Sequence, residues 1–272
     1  MKPFLKWAGG KTRLLPELLK YVPETYDTYV EPFLGGGAML FELTPTRAVV
    51  SDVCFGLIRL YKDIKHTPGH LISSLEWCIS QHSEQTFYKM RDCYNNTVFN
   101  KEQLSAMFLY LNKSCYNGLH RENSNGDFNV PFGKYKSIKW YDKTNILSIR
   151  DYLCRQDVEI KCQSFSDALK NARPGDFVYC DPPYHNGFTA YTVKGFTERD
   201  QADLARICSD LAAKGCHILA SNSNTDYIKQ LWGQYGCFDI HEVEAPRSIS
   251  CKGNGRVKVK ELIITNVRRE ER

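Results

Sequence analysis

The chain has 272 residues, of which 42% are hydrophobic, 25% charged and 12% aromatic, the balance of a globular protein rather than a disordered or fibrous one. No apolar run reaches the roughly 18 residues that cross a bilayer, and the N-terminal MKPFLKWAGGK lacks the apolar core of a secretion signal, so a cytoplasmic protein with no membrane partner is expected. Eleven cysteines, scattered from Cys54 to Cys251 with no C-x-x-C pair, fit neither a disulfide framework nor a zinc site. The net charge is +5, and its excess lies in two stretches: residues 101–140 carry six Lys/Arg against three Asp/Glu, and residues 241–272 carry eight against five. A polyanion-binding surface needs such concentration, although two solvated faces would also produce it.

In chain order, residues 28–33 (TYVEPF) read as a strand, followed by a glycine turn, the short helix AMLFEL, and a second strand at 47–52 (RAVVSD). The pattern then turns helical. Leu57, Leu60, Tyr61 and Ile64, then Leu71, Leu75 and Ile79, then Leu104, Phe108 and Leu111 recur at helical spacing, and a turn-rich loop fills 117–136. Strands resume at 158–164 and 175–181, with a helix over 197–214, a strand over 217–222, and two late strands around FDIHEVE and KELIITN. This alternation predicts an α/β fold: a mostly parallel sheet with helices on both faces and the last strands antiparallel at one edge. The first domain is then discontinuous, 1–54 with 145–272, and a helical insert occupies 55–144.

Three segments carry chemistry. Glu31-Pro32-Phe33-Leu34-Gly35-Gly36-Gly37 follows a strand and opens a helix, where glycines let a ligand approach the backbone, and Asp52 ends the next strand in position to meet ribose hydroxyls. A glycine turn taken alone is more often only a turn; the acid at the next strand end strengthens the reading of a nucleoside-containing cofactor without identifying it. Gly9-Gly10-Lys11-Thr12 is not a P-loop, because Leu5 stands where the leading glycine belongs and no strand precedes it. What remains there is a glycine turn with Trp7 on one side and Lys11 on the other. Asp181-Pro182-Pro183-Tyr184 follows the apolar FVYC; two prolines remove two N–H donors, so a carboxylate, free carbonyls and a flat ring share one stiff tetrapeptide. An amino group on a planar ring matches that equipment, and a proline-stiffened loop is the alternative.

WAGGK, EPFLGGGAML, the acid at Asp52, YLNKSCYNGLHREN, FNVPFGKY, DPPY and FTAY occur in this order over nearly the whole chain. The set resembles the Dam type of DNA adenine-N6 methyltransferase, α group. The resemblance implies a class I, seven-stranded methyltransferase sheet whose insert is a target-recognition domain with a hairpin loop. It implies S-adenosylmethionine as donor, S-adenosylhomocysteine as product and no metal. The implied partner is double-stranded DNA, with GATC as target, base flipping and direct in-line transfer, by a bacterial or phage-encoded enzyme that is monomeric in solution, with more than one copy accommodated per DNA. By motif match, Trp7, Lys11, Asp52 and Asp181 resemble cofactor contacts, with Pro32, Phe33, Gly35 and Gly37 around them and Phe165 a candidate for the adenine end. Asp181 and the Pro182 carbonyl would accept from the adenine amine while Tyr184 stacks on the base. Tyr116 resembles the aromatic inserted into the base stack and Arg121 the guanine reader, accompanied by Lys6, Asn117, Leu119, Pro131 and Tyr135. Lys134, Lys136, Lys139, Lys252 and Arg256 fit phosphate contacts. Transfer to cytosine N4, to RNA or to a protein amide uses similar chemistry, and a non-catalytic DNA-binding module is the reading from another class.

Overall fold

The expected strands at 28–33 and 175–181 form in shorter versions, β1 (Tyr29–Glu31) and β4 (Phe177–Cys180), because both run into proline. Pro32 and Pro182 have no N–H with which to extend a ladder, so Glu31 and Asp181 come to stand at the carboxyl edge of the sheet. The computed structural model describes residues 1–96, 101–186, 195–246 and 258–268. Five more strands complete the sheet: β2 (Arg47–Asp52), β3 (Asp157–Cys162), β5 (His217–Ser223), β6 (Asp239–Pro246) and β7 (Lys258–Thr265). The order is β3-β2-β1-β4-β5-β7-β6, with β7 antiparallel to both neighbours and the remaining pairs parallel. This is the seven-stranded α/β sheet expected from the sequence, and the antiparallel pairing sits at the expected edge. The strand order reverses between β1 and β4, and a crevice for ligands opens at such a point.

Alternation along the strands divides the core. Tyr29, Phe177, Tyr179, Leu219 and Ile263 face one side; Val30, Val178, Cys180, Ile218, Leu262 and Ile264 face the other. The second side is covered by α8 (Phe165–Leu169), α9 (Glu198–Ala213) and α10 (Asp226–Gly233). The start of α9 carries a reciprocal cap, Thr197 with Asp200. The first side takes α1 (Leu15–Leu18), α2 (Ala38–Leu43) and the helices between β2 and β3: α3 (Phe55–His66), α4 (Pro68–Ser80), α5 (Glu84–Asn95), α6 (Lys101–Ser114) and α7 (Lys143–Arg155).

Periodicity anticipated α3, α4 and α6; α1, α5, α7, α8 and α10 are additions. α5 and α7 start on side-chain caps, Ser83 accepting from the Thr86 N–H and Asp142 from the Asn145 N–H. Leu57, Tyr61 and Phe108 belong to the same apolar cluster as Phe4, Tyr29 and Phe41, so the helical segment and the sheet share one continuous core. No helix among the described residues is long and apolar enough to cross a membrane.

The turn into β4 is tied to the entrance of β1 by the buried Asp176, whose two oxygens accept the N–H groups of Thr28 (3.1 Å) and Arg173 (2.7 Å). Asp176→Ala leaves two backbone donors unpaired at the sheet centre and is expected to lower stability by about 2–4 kcal/mol, read as a shifted urea midpoint at unchanged slope.

Candidate active site

Three carboxylates stand at the carboxyl edge of neighbouring strands: Glu31 ends β1, Asp52 ends β2, and Asp181 follows β4. Each has a different environment. Asp52 accepts the Gly35 N–H on Oδ2 (3.0 Å) and the Cys54 N–H on Oδ1 (2.9 Å); burial pushes its carboxyl up, and these two bonds oppose that. Asp181 Oδ1 lies 2.7 Å from Lys11 Nζ and accepts the Ser221 hydroxyl at 2.9 Å; again burial raises the carboxyl and the two partners hold it down. Glu31 is 3% exposed and its Oε2 has no partner among the described residues. Burial, reinforced by Asp181 and Asp52, holds its carboxyl well above the usual carboxylate range.

The glycine turn forms as expected. Gly35 and Gly37 take positive φ (47° and 69°), and a Cβ on Gly35 would stand 2.8 Å from Cδ1 of Trp7, so the absence of a side chain lets the indole lie on the turn. The Tyr61 hydroxyl donates to the Gly35 carbonyl at 3.1 Å. Pro32 is buried and Phe33 half-buried; Phe33 stacks on Phe165 (5.6 Å, 24°), with Phe196 edge-on at 5.7 Å. Lys11 begins a short 3-10 turn, donates to the Gly9 carbonyl at 2.6 Å, and puts Nζ 4.5 Å from the centre of the Tyr184 ring. Trp7, Lys11, Phe33, Gly35, Asp52, Asp181 and Tyr184, which span 178 positions of sequence, therefore sit around the β1/β4 crevice.

The tetrapeptide is braced from behind. Tyr184 donates to Glu261 Oε2 at 2.7 Å, and Gln201 Nε2 donates to the Pro183 carbonyl at 2.8 Å while its Oε1 accepts from Asn222 at 2.9 Å. The Pro182 carbonyl has no such bond among the described residues, and Asp181 Oδ2 takes neither Lys11 nor Ser221.

The loop at 117–136 is a hairpin, with bridges Cys115↔Phe132 and Glu122↔Phe128. At its base Asn117 and Gly118 both adopt positive φ (55° and 63°), and a Cβ on Gly118 would stand 2.3 Å from Cβ of Lys6, so only glycine fits. The N-terminal arm docks here: the Lys6 N–H donates to Asn112 Oδ1 (3.0 Å), Asn112 Nδ2 returns a bond to the Lys6 carbonyl (2.7 Å), and Lys6 Nζ lies 4.0 Å from the centre of the Tyr135 ring. Tyr135 donates to the Cys115 carbonyl (3.0 Å), and the Pro131 carbonyl accepts the Tyr116 N–H (2.8 Å).

The Tyr116 side chain is 47% exposed. Arg121 is exposed and braced by Asn129, with Nε donating to Oδ1 at 2.6 Å. Leu119 packs on the core rather than standing free, while Lys134, Lys136 and Lys139 are exposed. Burial, with Lys6 and Lys139 nearby, lowers the Lys113 ammonium to about 8. Lys252, Arg256 and the FTAY segment lie outside the described residues.

Sequence reasoning named Glu31 within its motif but gave it no role, and passed over Ser221, Gln201, Asn222, Glu261, Phe196 and Lys113. Glu31 had a signal, an acid inside an otherwise apolar strand. Ser221 and Asn222 sit in a polar run closing the apolar HILA. Glu261 carried none.

Residues 7–249 match the D12 class of N6 adenine-specific DNA methyltransferases. The chain belongs to this family. Among relatives of this D12-class enzyme, the type II methyltransferase M1.LlaDCHI of Lactococcus lactis is 38% identical over 98% of this chain and 95% of its own. The type II methyltransferase M.MjaIII of Methanocaldococcus jannaschii is 37% identical over 98% and 99%, and the DNA adenine methylase of Escherichia coli 34% identical over 96% and 94%. The solved rRNA methyltransferase aviRa of Streptomyces viridochromogenes aligns at a TM-score of 0.36 and 12% identity over 94% of this chain and 85% of that one, too loosely to carry an argument. The enzyme is an adenine-specific DNA methyltransferase.

The Glu31 environment makes a pH-dependent statement. A buried carboxyl with a raised folded-state pKa costs stability once the unfolded chain ionises, so the cost is absent below the ordinary carboxylate range and grows as pH rises through it. Glu31→Gln is therefore expected to match the parent protein near pH 3 and to be more stable at pH 7, read by denaturant titration at both pH values; an equal difference at both would refute the assignment.

Proposed function

We propose that this methyltransferase takes its methyl group from S-adenosylmethionine and places it on N6 of an adenine extruded from duplex DNA, within GATC. The observation that carries the reading is the joining of Lys11, Asp181 and Tyr184 at the strand-order reversal, opposite the Trp7-covered glycine turn. The residues present fit the donor. Glu31, with an unpartnered buried oxygen, and Asp181 suit an ammonium group; Asp52, at the next strand end, suits a ribose; and Phe33 and Phe165 offer apolar surface for an adenine, with Phe196 beside them. Bound there, S-adenosylmethionine supplies an activated methyl group.

The chain's own residues do the rest. An aromatic amine is a weak nucleophile because its lone pair is delocalised into the ring. Acceptors that draw its two protons out of conjugation restore the lone pair, and Asp181 Oδ2 and the Pro182 carbonyl are those acceptors in this reading. Lys11 and Ser221 hold Asp181 through its other oxygen, and Glu261 holds the Tyr184 ring as a plate for the base.

Because the target lies inside a duplex, extruding it costs a few kcal/mol in stacking and pairing. The exposed Tyr116, on the rigid base of the hairpin, is the side chain to fill the stack. Residues 55–144 form the target-recognition part, in which Arg121 reads guanine and Lys6 and Asn117 lie alongside. Lys134, Lys136 and Lys139 meet phosphates. With Nε on the Asn129 side-chain oxygen and Nη2 3.4 Å from the Asn129 carbonyl, the Arg121 guanidinium is held in one orientation with its outer N–H groups turned away from Asn129, which suits a base contact better than a mobile phosphate contact.

Incubation with labelled S-adenosylmethionine and a GATC duplex is expected to yield N6-methyladenine; transfer confined to another sequence would remove the GATC assignment, and another labelled base would remove the amine-acceptor geometry. Asp181→Ala is expected to reduce transfer about a hundredfold or more while DNA binding persists, and retained activity would rule out its role. Arg121→Ala should lose about 1–3 kcal/mol of discrimination at one guanine, whereas Lys136→Ala should weaken binding to every sequence and reduce the salt slope by about 1. Uniform losses across base substitutions in the Arg121 variant would assign it to phosphate instead.

A further inference from the structure

Neighbouring residues of the hairpin point in opposite directions. Arg121 is exposed, while His120 is 3% exposed and lies between the hairpin and the donor side of the site. Its ring stacks on Trp7 (5.5 Å between centroids, 18° between planes), and its Nε2 is 3.6 Å from Cys54 Sγ and 3.3 Å from Glu122 Oε1. Phe108 and Phe128 flank the same ring at 5.4 and 5.7 Å. Both routes onward end in the crevice. Trp7 rests on Gly35 of the glycine turn, and the Cys54 N–H holds Asp52 Oδ1 at 2.9 Å. A ring packed on this many sides cannot shift without moving its neighbours, because close-packed interiors transmit displacement rather than absorb it.

We infer that His120 is a positioning residue that couples the donor pocket to the base-reading hairpin through its stack on Trp7. A ligand pressing on Trp7 fixes His120, and His120 fixes the backbone that carries Arg121. Coupling of this kind is reciprocal, so the right DNA on the hairpin tightens the donor pocket by the same factor. The inference rests on the proposed S-adenosylmethionine site.

The test uses the full chain and S-adenosylhomocysteine as probe. In the parent protein without DNA, the probe should slow amide exchange across residues 118–130 about fivefold, and it should tighten binding of the duplex that the enzyme methylates about tenfold. His120→Gln keeps a hydrogen-bonding side chain but removes the ring and should reduce that tightening to about twofold; His120→Phe keeps a ring against Trp7 and should retain most of it. A purely structural role for His120 would lower the melting temperature of both variants and leave the ratio of the two DNA affinities unchanged, which would overturn the inference.

Loss of coupling in His120→Phe to the same extent as in His120→Gln would also overturn it, since the stack would then not be the link. If neither variant folds, the exchange measurement on the parent decides: protection of 118–130 supports the coupling and its absence refutes it. Failure of the parent to bind the probe at all would instead bring down the donor assignment, and the coupling with it.

Discussion

Carboxylates on neighbouring parallel strands repel one another, and this chain places three of them at the same edge of its sheet. Among the described residues, Asp181 alone of the three forms an ion pair with a lysine or arginine, Lys11, and that ion pair organises the site. It draws the N-terminal segment onto the β4 end and brings the lysine over the Tyr184 ring. Asp52 is offset by backbone N–H groups, while Glu31 keeps one carboxylate oxygen, Oε2, without a partner among the described residues, and only Tyr29 opposes the burial that raises it. An edge arranged in this way retains capacity for one more positive group, as the proposed binding of a cationic donor would require.

The second constraint is steric. Asn117 and Gly118 turn the chain back through two consecutive left-handed residues, and the bare Cα of Gly118 lets Lys6 pack within van der Waals reach. The N-terminal arm is thus held at one end by the hairpin and at the other by Asp181. The residues around the β1/β4 crevice and those of the hairpin are parts of one framework, which agrees with the single core shared by the sheet and the helices between β2 and β3.

Much of this was readable from the motifs because each solves a local problem. Pro32 and Pro182 stop strands directly after an acid, Gly35 and Gly37 permit backbone angles that other residues resist, and the apolar periods of α3, α4 and α6 mark their buried faces. The helices that went unread lacked that kind of signal. α10 is eight residues long, and α5 and α7 open on caps within polar stretches that also suit loops. Ser221, Gln201 and Glu261 act only through what they touch, and their partners lie 40, 18 and 77 residues away.

The sequence by itself determined the alternation of the fold, the places where strands stop, and the chemical types gathered in each motif, since all of these follow from backbone geometry and side-chain character over a few neighbouring residues. Only the tertiary structure decided that Lys11 pairs with Asp181, that Glu31 lies buried between two other acids, and that His120 turns inward onto Trp7 while Arg121 turns outward. Those outcomes depend on distances between segments remote in the chain, and the packing of the whole core sets such distances.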